Sequence, residues 1–328
     1  MPLVTVLATG GTIASRSDSA GGATAQDAGA ELVARLDLPA GTEVRVRDVV
    51  RVGGFRMTLD RVHEVARAVA AELRDETVAG VVITHGTDTI EETAFFLDLF
   101  HDDPRPVVVT GAQRAADASD SDGPRNLTDA VTAAAAPATR GLGVLIGFGG
   151  QLFPARGTRK THTVAADTFA NPAGGPLGWV HGGTVEVVTA PRRGAALPLD
   201  AFDPAGVRVD VVPCYPDADD TALGACAGAG ARGVVLEATG AGNANPAICA
   251  AVAELSAAGV VVVTSTRVAA GPVVAIYGDG GGVDLLAAGA VPSGLLRPSQ
   301  ARILLAALQG LHRDADVVRR TFLEHAYG

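Results

Sequence analysis

Cysteine is scarce in this chain: Cys214, Cys226 and Cys249 stand far apart in 328 residues. An odd, scattered set without a CxxC pair is neither a disulfide framework nor a redox or metal pair. Each is expected as a small buried hydrophobe. Basic charge is short as well, with 26 Lys and Arg against 36 Asp and Glu, and the net charge of −10 disfavours binding along a phosphate backbone. Long apolar runs are missing. Those present, such as Gly259–Val263, are strand-sized and far short of a membrane span. The first residues enter a strand-like run at once (Leu3–Leu7), without a basic region, an apolar stretch or a small-residue cleavage site. No signal peptide is therefore expected, and the cytoplasm is the default location. The seven histidines are scattered and form no HExxH, which leaves no metal cluster in view.

Hydrophobic residues make up 48% and charged residues 19%, the composition of a well-buried globular protein. The length fits two domains of roughly 150 residues each. Short β-branched runs recur, each followed by a glycine-rich or small-residue turn and often an alanine-rich helical stretch: Val4–Ala8, Val81–Thr84, Val107–Val109, Gly143–Ile146, Val234–Leu236 and Val260–Val263. Near-continuous apolar strands indicate parallel sheet covered on both faces. Their alternation with helices indicates βαβ units in a doubly wound arrangement. The expected fold is α/β with two domains, each a mostly parallel sheet flanked by helices. The larger spans 1–190 and the smaller 207–328, joined by a linker at 191–206 that contains Pro191, Pro198 and Pro204. Thr89-x-x-Glu92 reads as a capping box opening a helix, and Leu59–Leu73 and Ser299–Leu311 have amphipathic helical spacing. The small, polar stretch Ser15–Ala30 reads either as a mobile loop over a site or as an inert surface loop.

In open parallel sheets ligands bind beyond the carboxyl ends of the strands, so the turns there are the places to search. Two of them pair glycine with threonine: Thr9-Gly10-Gly11-Thr12 and His85-Gly86-Thr87-Asp88-Thr89. Glycine lets backbone approach a ligand and offers bare N–H groups of the kind an oxyanion needs. A hydroxyl that attacks a carbonyl needs a proton acceptor nearby. Lys160 could serve if burial or neighbouring charge lowers its pKa, and Asp88 could hold that lysine or grip an ammonium group. Taken singly, Thr87–Thr89 could merely cap a helix, Lys160 could be a solvated charge, and TGGT could cradle phosphate. TGGT lacks the GxGxxG spacing, however, and no GxxxxGKS or GxxxxGKT follows a strand, so nucleotide binding has weak support.

Together these segments resemble the bacterial-type L-asparaginase family. The resemblance rests on Ala8–Ala14 (ATGGTIA) and Ile83–Ala94 (ITHGTDTIEETA), with Thr110–Arg114, Asp122–Leu127, Gly175–Gly178, Gly242–Asn245 and Ser265–Val268 as further pieces in order along the chain. It implies a cofactor-free amidohydrolase that converts L-asparagine to L-aspartate and ammonia, with L-glutamine as a possible slower substrate. Thr12 corresponds to the nucleophile and Thr87 to a second threonine bonded toward Lys160, and Asp88 to the group that binds the substrate ammonium. Gly11, Gly54, Phe55, Gly86 and Ala112 fall at substrate-lining positions. Asn243 and Tyr277 fall where an adjoining subunit contributes, so a homo-oligomer is implied, a tetramer built from intimate dimers. His85 belongs to the motif with a structural hydrogen bond as its expected part.

The pattern departs from the family in three places. The tyrosine that usually follows TGGTIA and helps activate the first threonine is absent, since the chain has only Tyr215, Tyr277 and Tyr327. Gly54 and Phe55 stand where serine and glutamine commonly anchor the substrate carboxylate and ammonium. The acidic residue usually supplied by the neighbouring subunit is not evident near Asn243; Tyr277, which falls near that position, reads either as a substitute for the missing loop tyrosine or as a plain edge-strand tyrosine. These losses imply weak binding or a shifted substrate. They also keep a second class open, an amino-acid sensor without turnover. A tRNA-linked amidotransferase subunit would call for basic patches that the acidic composition does not favour.

Overall fold

β1 (Leu3–Gly10) sits inside the sheet of the first of two compact units, Met1–Leu199 and Asp200 onward. In this computed structural model residues 1–17, 22–38 and 41–327 are described. Thr12–Ala14 forms a single 3-10 turn after β1. A short antiparallel hairpin follows, β2 (Ser15–Ser17) with β3 (Ala23–Ala25). The stretch expected as a loop is thus partly paired, and its residues 18–21 lie outside the described residues. Helix α1 (Gly29–Val33) then leads to β4 (Glu43–Val52).

The remaining strands are β5 (Val78–Thr84), β6 (Val107–Thr110), β7 (Val144–Phe148), β8 (Gln151–Pro154), the small pair β9 (Arg159–Lys160) and β10 (Phe169–Ala170), β11 (Gly178–His181) and β12 (Thr184–Val187). The main sheet runs β12-β11-β8-β7-β6-β5-β1-β4. Pairing is parallel from β4 to β7 and antiparallel from β7 to β12. The chain leaves β1 for β4 on one side and returns to β5 on the other. The order therefore reverses at β1, and the carboxyl ends of β4, β1, β5 and β6 flank that point.

Covering both faces explains the continuous apolar strands. Val4, Val6, Val82, Val108 and Leu145 pack in one cluster with Leu127, Ala130, Val131 and Ala134 of α4 (Gly123–Ala135). Thr5 points the other way, as the pleat requires, and donates to Glu72 Oε2 at the end of α2 (Leu59–Glu72), 3.2 Å away. Helix α3 (Ile90–Phe100) is buried along most of its length and contacts β7. Its expected capping box does not form. Thr89 occupies the N-cap position, but its hydroxyl donates to Gly54 O at 2.8 Å, tying the end of β5 to the end of β4. The edge strand β4 escapes an apolar reading because its sequence EVRVRDVVRV alternates charge with valine.

The second unit carries a parallel sheet in the order β13 (Val209–Pro213), β14 (Gly233–Ala238), β15 (Val261–Thr266) and β16 (Val291–Pro292). Helices α5 (Thr221–Gly228), α6 (Pro246–Ala257) and α7 (Gly282–Ala287) supply Leu223, Ile248, Val252 and Leu285 to a cluster with Val234, Leu236 and Val262. Helix α8 (Pro298–Leu311) lies against β13–β15, and α9 (Ala315–Tyr327) packs on α8. The cysteines are free. Cys214 and Cys249 belong to the apolar cluster, and burial pushes the Cys214 thiol up to about 11. Among the described residues no helix is long and apolar enough to cross a membrane.

Candidate active site

Three glycines bring the strand ends into backbone contact. A Cβ placed on Gly11 would lie 2.3 Å from Gly86 N, and one on Gly86 would lie 2.4 Å from Gly54 N. A Cβ on Gly54 would in turn fall 2.8 Å from Gly86 O. Gly11 also has φ +81°, in the left-handed region that side chains avoid. Further bonds hold the same ends. Gly11 N donates to Val52 O at 2.9 Å, and Thr9 Oγ1 to Thr84 O at 2.7 Å. Ser15 Oγ closes the turn on Gly11 O at 2.9 Å. The Gly11 N–H is therefore not bare, and oxyanion donors must come from other backbone groups of these turns.

Thr12 and Thr87 each follow a glycine of this contact, so their positions are set by backbone. Thr87 is buried. Lys160 Nζ donates to Thr87 Oγ1 and to Asp88 Oδ1, both at 2.9 Å. Lys160 reaches them from β9, whose place is set by Lys160 N donating to Glu91 Oε2 at 2.7 Å. The Thr12 hydroxyl has no hydrogen-bond partner among the described residues. Ala112 is fully buried just beyond β6. Phe55 stands 76% exposed with its ring over Gly53 and brings no polar side-chain atom. Asn243 and Tyr277 belong to the second unit. There Asn243 Oδ1 accepts from Gly282 N at 3.0 Å, and Tyr277 is exposed.

The hairpin after Thr12 is anchored by charge. Asp27 accepts from Arg16 at 2.5 Å and pairs with Arg35 at 3.0 Å. Burial alone would push the Asp27 carboxyl up, but the two arginines outweigh it and hold it below the usual range. His85 is wholly buried. Its Nδ1 faces Gly86 O at 2.8 Å, and a carbonyl only accepts, so the proton sits on Nδ1 and Nε2 accepts from Thr93 Oγ1 at 3.0 Å.

Several residues that shape this site carry no signal of that role in the sequence. Gln113 Oε1 accepts from Thr87 Oγ1 at 3.0 Å. Asp122 receives the backbone N–H groups of Gln113 and Arg114, and Asn126 bridges Gly111 O and Gly149 N. The segments TGAQR and DGPRNL were legible as familiar, but nothing in their spacing says that the second anchors the first.

Two outcomes follow from this geometry. Gly11→Ala strains φ and drives Cβ into the Gly86 backbone, so it lowers stability by at least about 1–2 kcal/mol and abolishes activity; an unchanged denaturation midpoint would contradict the close contact. Burial lowers the His85 pKa to about 4. The folded value lies below the unfolded one near 6.5, so this contribution is present above pH ~6.5 and is lost as pH falls toward 4, about 3 kcal/mol in all. His85→Asn should flatten that acid limb in denaturant titrations. Parallel pH curves for the two proteins would refute the assignment.

Comparison with known proteins identifies the family. Residues 3–193 match the family described as Asparaginase, N-terminal, and residues 208–322 match the Glutaminase/Asparaginase C-terminal domain. The chain is 36% identical over 343 residues to a probable L-asparaginase of Deinococcus radiodurans, covering 100% of this chain and 99% of that protein. It is 34% identical over 335 residues to a probable periplasmic L-asparaginase of Haemophilus influenzae, covering 98% and 93%. The solved structure of a probable cytoplasmic L-asparaginase from Campylobacter jejuni is similar with a TM-score of 0.87 at 29% identity, over 98% of this chain and 99% of that one. With both family domains matched in order along nearly its whole length, the chain belongs to the asparaginase family of enzymes.

Proposed function

We propose that this chain hydrolyses L-asparagine to L-aspartate and ammonia through an acyl-enzyme on Thr12, with L-glutamine as a slower substrate. The observation that carries this reading is the Thr87–Lys160–Asp88 network, two bonds of 2.9 Å, beside a threonine whose hydroxyl is unengaged among the described residues. Thr12 Oγ adds to the side-chain carbonyl carbon. The oxyanion is held by backbone N–H groups of the glycine turns other than that of Gly11. The amide nitrogen leaves with the proton as ammonia, and water then cleaves the ester and restores the hydroxyl. Asp88, about half exposed beside Lys160, is the carboxylate available to a substrate ammonium group. A methylene is worth only about 1–3 kcal/mol in a pocket, so glutamine is disfavoured and not excluded.

The catalytic unit in this reading is the domain over 1–190, with 207–328 completing an oligomer. A tetramer of intimate dimers fits the exposure of Val274, Ile276 and Tyr277 in the second unit. The location proposed is the cytoplasm, the one named for the Campylobacter protein.

Purified protein should release ammonia from L-asparagine, and Thr12→Ala and Thr87→Ala should each lower the rate by more than about a hundredfold. Binding without turnover by the wild type would replace this reading with the sensor. Loss of polar side chains at Gly54 and Phe55 removes charged-group hydrogen bonds worth about 1.5–3 kcal/mol. The expected KM for L-asparagine therefore lies well above the low-micromolar range, and a low-micromolar value would count against this account. Gly54→Ser should fail to improve KM, because its Cβ would fall 2.8 Å from Gly86 O.

A further inference from the structure

We infer that Gln113 is a positioning residue that fixes the direction of the Thr87 hydroxyl by coupling it to the turn at 162–165. The inference rests on the reading of Thr87 as part of the reaction site.

Hydrogen-bond polarity fixes the orientation of the Gln113 amide. Gln113 Nε2 faces two backbone oxygens, Thr163 O at 3.3 Å and Ala165 O at 3.2 Å. Carbonyls only accept, so the NH2 group must be on that side of the amide. Oε1 must then face Thr87, and it too can only accept. The Thr87 proton is accordingly directed at Gln113, 3.0 Å away, and Lys160 donates into one Thr87 lone pair at 2.9 Å. One lone pair is left for a ligand. Thr87 thus meets substrate or water as an acceptor, and its proton is turned away from Lys160.

The turn that sets this polarity is itself built. His162 Nδ1 accepts from Val164 N at 3.1 Å and Ala165 N at 2.9 Å, and Thr168 Oγ1 bonds back to His162 O. The same segment carries Lys160 on β9. The backbone of Gln113 is held from the other side, its N–H donating to the Asp122 carboxylate at 3.0 Å. Gln113 therefore joins the end of β6 to the segment bearing Lys160, and Thr87 lies on the link.

The test uses the full chain with Gln113→Leu, Gln113→Glu and Thr87→Val. Gln113→Leu removes donor and acceptor together, and kcat for L-asparagine should fall about tenfold to a hundredfold with KM within about threefold. Gln113→Glu keeps the acceptor but sets a carboxylate against two carbonyls. Its activity should be low at neutral pH and recover relative to wild type as pH falls and the protonated carboxyl donates again. A merely structural glutamine would give no such profile. Gln113→Met serves if the leucine variant does not fold. Wild-type kcat in Gln113→Leu, or a loss confined to KM, overturns the inference. Independently of activity, shifts in denaturation midpoint for Gln113→Leu and Thr87→Val should be non-additive in the double variant, and strict additivity overturns the inference. If the wild type releases no ammonia, the functional reading fails, and the Gln113 link stands or falls on that cycle alone.

Discussion

The site depends on backbone touching backbone. Gly11, Gly54 and Gly86 end or follow three neighbouring strands, and each approaches the next more closely than any Cβ would allow. Because the contact involves main chain only, its geometry is set by the sheet that feeds it. Thr12 and Thr87 follow two of these glycines, and Thr89 adds a bond from one turn to Gly54 O. Gly54, where the resemblance would lead one to expect a serine, has no room for a Cβ, which would fall 2.8 Å from Gly86 O.

On this floor the two threonines differ. Thr87 is held on both sides, by Lys160 and by Gln113, while the Thr12 hydroxyl is without a hydrogen-bond partner among the described residues. Thr87 is fixed as a preorganised group is, whereas the Thr12 hydroxyl still needs a proton acceptor within reach when it attacks. That contrast supports separate parts for them in the proposed reaction. None of the three tyrosines follows Thr12 in the first unit; Tyr215, Tyr277 and Tyr327 all belong to the second.

Much of this was legible in the sequence because it depends on local rules. Continuous apolar runs marked the strands covered on both faces, and glycine-threonine turns after them marked the candidate site. Asp88 was legible from its chemistry as a holder of Lys160, 72 positions away, while the bond between Thr87 and Lys160 was implied only by the family resemblance. Gln113 was not legible as a partner of Thr87, because its role comes from two carbonyls of a turn some fifty residues onward. The capping box at Thr89 misled for a physical reason. A capping hydroxyl accepts from an N–H of the first turn, and here the Thr89 hydroxyl instead donates to a carbonyl at a neighbouring strand end. The edge strand β4 was hidden by its charges, and the antiparallel strands β8, β11 and β12 are short enough to lack a pattern.

The central claim is that Thr12 carries the acyl group while Thr87 stays in its network. Acid quenching during turnover of L-asparagine, followed by peptide mapping, reads this directly. An aspartyl ester on the peptide that begins the Thr12–Ala14 turn, confined to Thr12, is the predicted result. An ester on Thr87, or steady turnover with no ester on either threonine, would contradict it.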